Sequence, residues 1–109
     1  MLHQFFWLMC LHAWADFSAQ SEVMARSKNR HHRPEHKAWP KWWYWMTAHA
    51  LIHGGAVSLV LGPVAGVCEV ATHWLIDFGK TEKLYGTNTD QFFHVLSKIV
   101  WVALFNGVR

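Results

Sequence analysis

The sequence has only two cysteines, Cys10 and Cys68, and neither belongs to a CxxC or zinc-ribbon spacing. That excludes a disulfide-framed small domain and a cysteine-based zinc module, and both thiols are expected to be free and buried. Charge is also scarce: Asp, Glu, Lys and Arg make up 16% of the chain, against roughly 25% in ordinary soluble domains. No repeat of fixed period and no low-complexity tract runs through it. The opening residues, MLHQFFWLMCLHAWADF, lack a positive n-region and a small-x-small cleavage site. They read as a retained segment and not as a secretion signal.

What is present is concentrated. The 109 residues, enough for one domain, are 52% apolar and include eight tryptophans and nine histidines. The mean hydropathy of +0.04 averages apolar blocks with one very polar stretch. That stretch holds Arg26, Lys28, Arg30, Arg33, Lys37 and Lys41, with His31, His32 and His36 among them. Lying between apolar segments, it reads as a cytoplasmic loop under the positive-inside rule. Nucleic acid is disfavoured as a partner, because no stacking or groove-reading motif accompanies the charge.

Four apolar segments can be marked, at about 2–19, 42–61, 64–78 and 90–108. Each lies near the lower end of the roughly 17–25 residues that cross a bilayer. Together they predict an all-α fold, an integral membrane four-helix bundle in a single membrane-embedded domain, with the lipid bilayer as partner. Gly62-Pro63 predicts a tight hairpin, Gly79 the end of the third helix, and Thr89 or Asp90 the cap of the fourth. WPKWWYW, 39–45, reads as an interfacial aromatic belt. The basic loop at about 20–41 and the loop with Lys80 and Lys83 would face the cytoplasm, leaving both termini on the non-cytoplasmic side.

Polar residues recur at helical spacing inside these segments. His12, Asp16 and Gln20 fall four apart, as do His49 and His53; so do Glu69, His73 and Asp77, and Asp90 and His94 with Gln91 beside them. Residues four apart stack on one helix face, so each set forms a stripe. Counted at 1.5 Å of rise per residue, eight of them lie within roughly 15 Å of one membrane face. A charge left in hydrocarbon costs at least about 2.5–3.5 kcal/mol, so the stripes are expected to face one another.

Mixed histidine and carboxylate ligands suit a divalent Zn, Mn or Fe, and a bundle core fed by several helices can hold them. The expected ligands are His12, His49, His53, His73, Asp77 and His94. Asp16 and Asp90 are the candidate catalytic acids, and Gln20, Glu69, Lys80 and Gln91 the groups that orient ligands or substrate. Metal lowers the pKa of its bound water, so hydrolysis is the activity such a site would support. The alternative is a non-enzymatic protein whose polar cluster holds short helices together, as a homo-oligomer or within a larger membrane or virion assembly. A proton or ion path is a further reading. Haem or chlorophyll ligation would leave the carboxylates unexplained.

HAWADFSAQ, HALIHG, HWLIDFGK and DQFFH, in that order, resemble the small bacterial and phage membrane proteins grouped as a domain of unknown function, DUF 3307. The resemblance implies that Asp16, Gln20, His49, His53, His73, Asp77, Lys80, Asp90, Gln91 and His94 are shared polar positions. It also implies a place in the bacterial inner membrane, or a phage-encoded membrane protein, and no particular activity. SKNRHHRPEHK, the tryptophan cluster and Glu69 depart from that pattern. A likeness to membrane-bound metal-dependent hydrolases is more distant and rests on fold-level analogy.

Overall fold

The computed structural model describes residues 1–33 and 39–107. His36, Lys37 and the Val108 end of the fourth expected segment lie outside the described residues. The described chain is helical: α1 (Leu2–Ala13), a π-helical turn π1 (Trp14–Ser18), α2 (Glu22–Ser27), α3 (Trp42–Leu61), α4 (Pro63–Thr81) and α5 (Thr87–Phe105). Helices α3 and α4 form the closest pair, and α1 and α5 pack against them.

Local chemistry sets the α3–α4 hairpin. Gly62 sits at φ 93°, where a side chain would clash, and Pro63 begins α4 with its φ already helical. Close packing of the pair depends on two further glycines. A Cβ on Gly66 would lie 2.7 Å from the Gly54 carbonyl oxygen and 2.8 Å from Ser58 Cβ. Gly66→Ala is therefore expected to force the helices apart at a cost of about 1–3 kcal/mol. A denaturant midpoint left unchanged would show that the hairpin has slack.

Apolar packing closes the turn end of the hairpin. Leu8, Val57, Leu61, Ala65 and Val102 form one buried cluster, flanked by Phe5, Val60, Trp101 and Phe105. Trp42, on α3, lies 5.6 Å from the Phe78 ring and 5.9 Å from Trp74, joining α3 to the far end of α4. Between these two layers the interior is polar. His12, Lys28, His49, His53, Glu69, His73, Asp77, Asp90, His94, Ser97 and Lys98 are all buried, while Leu2, Phe17, Leu59 and Leu84 are among many large apolar side chains left exposed.

No helix among the described residues is long and apolar enough to cross a membrane. This corrects the integral membrane bundle, the placement of both termini on a non-cytoplasmic side, and the inner-membrane or phage-membrane location. The first segment runs as α-helix for only 12 residues before the π turn. Helices α4 and α5 interrupt their apolar runs with Glu69, Asp77, Asp90 and Lys98 as well as histidines. Within the tryptophan cluster, Trp42 packs between helices, while Trp43 and Tyr44 stay exposed.

The described start of the basic stretch is docked, through α2, Arg30 and His31. Ser21 caps α2 by accepting from Met24 N at 3.1 Å. Beyond α2, Arg30 donates to both Glu82 oxygens, and His31 Nε2 lies 2.7 Å from Glu82 Oε2. Three local expectations also change. Helix α5 begins at Thr87 with Gly86 as its cap, so Asp90 sits inside the first turns instead of before them. Gly79 lies within α4, pressed against the Tyr85 ring, whose hydroxyl donates to the Ile76 carbonyl. Cys10 is exposed and Cys68 half-buried, so neither thiol is a core residue.

Candidate metal centre

Five histidines meet in the middle layer, each 4% exposed or less: His12 from α1, His49 and His53 from α3, His73 from α4 and His94 from α5. The rings of His53, His73 and His94 form a stack, with centroids 3.7 Å apart for the first pair and 4.2 Å for the second. His49 meets His53 and His73 edge-on at 4.7 and 5.0 Å. Glycine 54 helps here as well: it lies one residue after His53 and lets α4 approach closely enough to bring His73 against that ring.

Asp16 is the hub on the open side. The π turn carries its carboxylate to His53 Nε2 at 2.8 Å, His49 Nε2 at 3.4 Å and His12 Nε2 at 3.3 Å. Gln91 locks this edge. Its Nε2 donates to Asp16 Oδ2 at 3.0 Å and to Asp90 Oδ2 at 3.3 Å, while its Oε1 lies 3.0 Å from His12 Nε2. Gln20 Nε2 donates to the Asp16 backbone carbonyl at 3.2 Å.

The remaining acids each have a cation. Lys28 Nζ donates to Asp77 Oδ2 at 2.5 Å, with His49 Nε2 3.7 Å from the same oxygen. Asp90 lies 3.3 Å from His94 Nε2 and 3.9 Å from the half-exposed Lys80. Glu69, fully buried, receives Lys98 Nζ on Oε1 and Trp101 Nε1 on Oε2, the latter at 2.7 Å.

Two sets of ligand atoms converge within 4.8 Å: Asp16, His49, His53 and His73, and separately Glu69, His73 and His94. Of the ligands expected from sequence, His12 and Asp77 fall outside both sets, as does Asp90, expected as a catalytic acid; each is held by a hydrogen bond or ion pair beside it. Asp16, expected as a catalytic acid, and Glu69, expected as an orienting group, fall inside. Lys28 and Lys98 were missed. Lys98 lies four residues after His94 on the Asp90–His94 stripe, so helical periodicity could have found it. Nothing local marks Lys28, which reaches across 49 residues to its partner.

Burial governs the electrostatics. It pushes the imidazoles of His12 and His73 below their ordinary value, with repulsion from neighbouring positive groups adding to the effect, and lowers His53 to about 3 despite its bond to Asp16. Burial alone would raise the Asp16 carboxyl, but hydrogen bonds from His49, His53 and Gln91 and the nearby His12 hold it below the carboxylate range. Neutral rings beside an ionised carboxylate are the protonation states in which these groups bind a metal. The donor chemistry also fits. Neither ring nitrogen of His73 has a hydrogen-bond partner, and Nδ1 of His12, His49 and His94 is likewise unpartnered. Buried polar atoms left this way are costly unless something occupies them.

Comparison with known proteins gives one result. Residues 4–108 match the model of a family described as a protein of unknown function, DUF3307. No curated protein and no solved structure matches the chain.

Proposed function

This chain belongs to the DUF3307 family, and we propose that it binds a divalent transition metal through Asp16, His49, His53 and His73. The carrying observation is His73. A buried imidazole with two unpartnered nitrogens sits within 4.8 Å of three other ligand atoms drawn from two other elements. Three imidazoles and one carboxylate suit Zn, Mn or Fe.

The chain's own residues would prepare such a centre. Gln91 holds the Asp16 carboxylate in place from the side away from His53, and the same amide fixes the His12 ring. Partners of this kind typically change metal affinity 10- to 100-fold. Lys28 neutralises Asp77, so His49 is left facing one free carboxylate rather than two. Four protein ligands complete a tetrahedral set, the arrangement of structural sites. The centre then ties π1, α3 and α4 together across an interior that is poor in apolar contact.

A second reading, metal-dependent hydrolysis, is favoured by the Asp16 side chain, which is 12% exposed while its histidine partners are closed off. A metal bound there would supply a water ionised near neutral pH. Hydrolysis of a simple phosphodiester that disappears with Gln91→Ala would favour this reading over the structural one.

Elemental analysis tests the metal. Purified wild-type protein is expected to carry about one equivalent of Zn, Mn or Fe, and Asp16→Ala and His49→Ala/His53→Ala to lose at least about nine-tenths of it. Chelation should lower the melting temperature of the wild type only. Equal metal content in all three proteins, or none in any, would overturn the proposal.

A further inference from the structure

Inside the outer group lies a second convergence that the proposed centre does not use. Glu69, His73 and His94 bring ligand atoms within 4.8 Å of one another, and each is 1% exposed or less. His73 Nδ1 lies 3.7 Å from Glu69 Oε1, and the His73 and His94 rings are stacked. His94 Nδ1 and both His73 nitrogens are unpartnered. An ionised carboxylate in such a place is too costly to stand alone, and here its partner is a lysine that is 1% exposed.

We propose that Glu69, His73 and His94 form a second cation site, and that the chain's own Lys98, by holding Glu69, keeps a metal ion out of it. Charge decides between this and a second metal ion. Asp16 is the carboxylate for the outer group, and Glu69 is the one carboxylate of the inner group. With Lys98 already on Glu69, a divalent ion there would set two more positive charges beside the ammonium, and Asp90, the acid beside His94, is engaged by Lys80 and Gln91. Trp101 occupies the other Glu69 oxygen, so both oxygens of the carboxylate already accept a hydrogen bond. The Lys98 charge is felt beyond its partner, since it helps keep both His73 and His12 neutral. Lys98 therefore acts as a tethered competitor that limits the protein to the outer metal.

The inference shares His73 with the proposed centre, yet the two fail separately. Cobalt(II), whose visible absorption reports histidine and carboxylate ligation, is titrated into the wild type, Lys98→Met and Lys98→Met/Glu69→Gln. Lys98→Met is expected to take one more equivalent than the wild type, and the double variant to return to the wild-type count. An extra equivalent in Lys98→Met supports the inner site even if the wild type binds none, an outcome that would sink only the outer centre. Equal counts in wild type and Lys98→Met would overturn it. Lys98→Met leaves Glu69 uncompensated and could fail to fold without metal, so refolding is followed with and without cobalt. Metal is expected to rescue Lys98→Met by more than it adds to the wild type, and to add to the double variant only what it adds to the wild type. Equal rescue of the two would also overturn the inference.

Discussion

Glu69→Ala is expected to be the most damaging single substitution outside the histidines, costing about 3–5 kcal/mol. The reason is asymmetric. Glu69 and Lys98 are both buried, and removing the acid leaves the ammonium stranded in the interior with no route to water. Trp101 Nε1 would lose its acceptor at the same time. Against a total stability of about 5–15 kcal/mol, that loss would bring the protein close to unfolding at room temperature. Removing the charges together, in Glu69→Gln/Lys98→Met, is expected to recover most of it, since a neutral pair has far less desolvation to offset. Guanidinium unfolding of the three proteins measures both effects. A loss below about 1 kcal/mol in Glu69→Ala would mean that water reaches Lys98.

Acid is expected to unfold the protein well before ordinary carboxylates titrate. His12, His53 and His73 are held neutral by burial, with His53 lowered to about 3. In the unfolded chain each titrates near 6.5. Stability from these rings is therefore full above about pH 6.5, and it falls as the pH drops, because the unfolded state then binds protons that the folded state refuses. A ring that stays neutral in the fold contributes a slope of about 1.4 kcal/mol per pH unit below that point. For His53 the loss continues down to its folded value of about 3. Asp16 adds in the same direction only at lower pH, once the unfolded carboxyl begins to protonate. Denaturant midpoints measured in chelator from about pH 7.5 to about pH 5 would show this directly. A flat profile across that range would mean that the rings are already charged in the fold.

How much of this was legible depended on whether the signal was periodic. The four stripes could be read because residues four apart share a helix face, and His12, His49, His53, Glu69, His73, Asp77, Asp90 and His94 are all buried. The same apolar flanks that made those stripes conspicuous suggested a bilayer around them. Segment length and hydropathy were marginal for that; α4 and α5 break their apolar runs with Glu69, Asp77, Asp90 and Lys98, and no described helix is long and apolar enough to cross. Pairing was less accessible than burial. Asp77 appeared to be a free ligand because Lys28 arrives from a stretch whose composition resembles a solvated loop. The π turn at 14–18 was invisible too, since a widened turn changes backbone hydrogen bonding without changing residue pattern. It sets how Asp16 meets His49 and His53, which come from a different helix.

The distribution of polar and apolar groups described above also has a calorimetric consequence. Among the described residues, eleven polar or charged side chains are buried against nine apolar ones, four of which are alanines. Exposing apolar surface raises heat capacity by about 0.45 cal/K/mol per Å², and exposing polar surface lowers it by about 0.26. Unfolding this chain releases an unusually polar interior, while many of its large apolar side chains are exposed before unfolding begins. Its heat-capacity increment should accordingly fall below the usual 12–15 cal/mol/K per residue, roughly, for globular proteins. A small increment flattens the stability curve. Such a protein loses little on cooling, and its melting enthalpy varies only weakly with the temperature at which it melts.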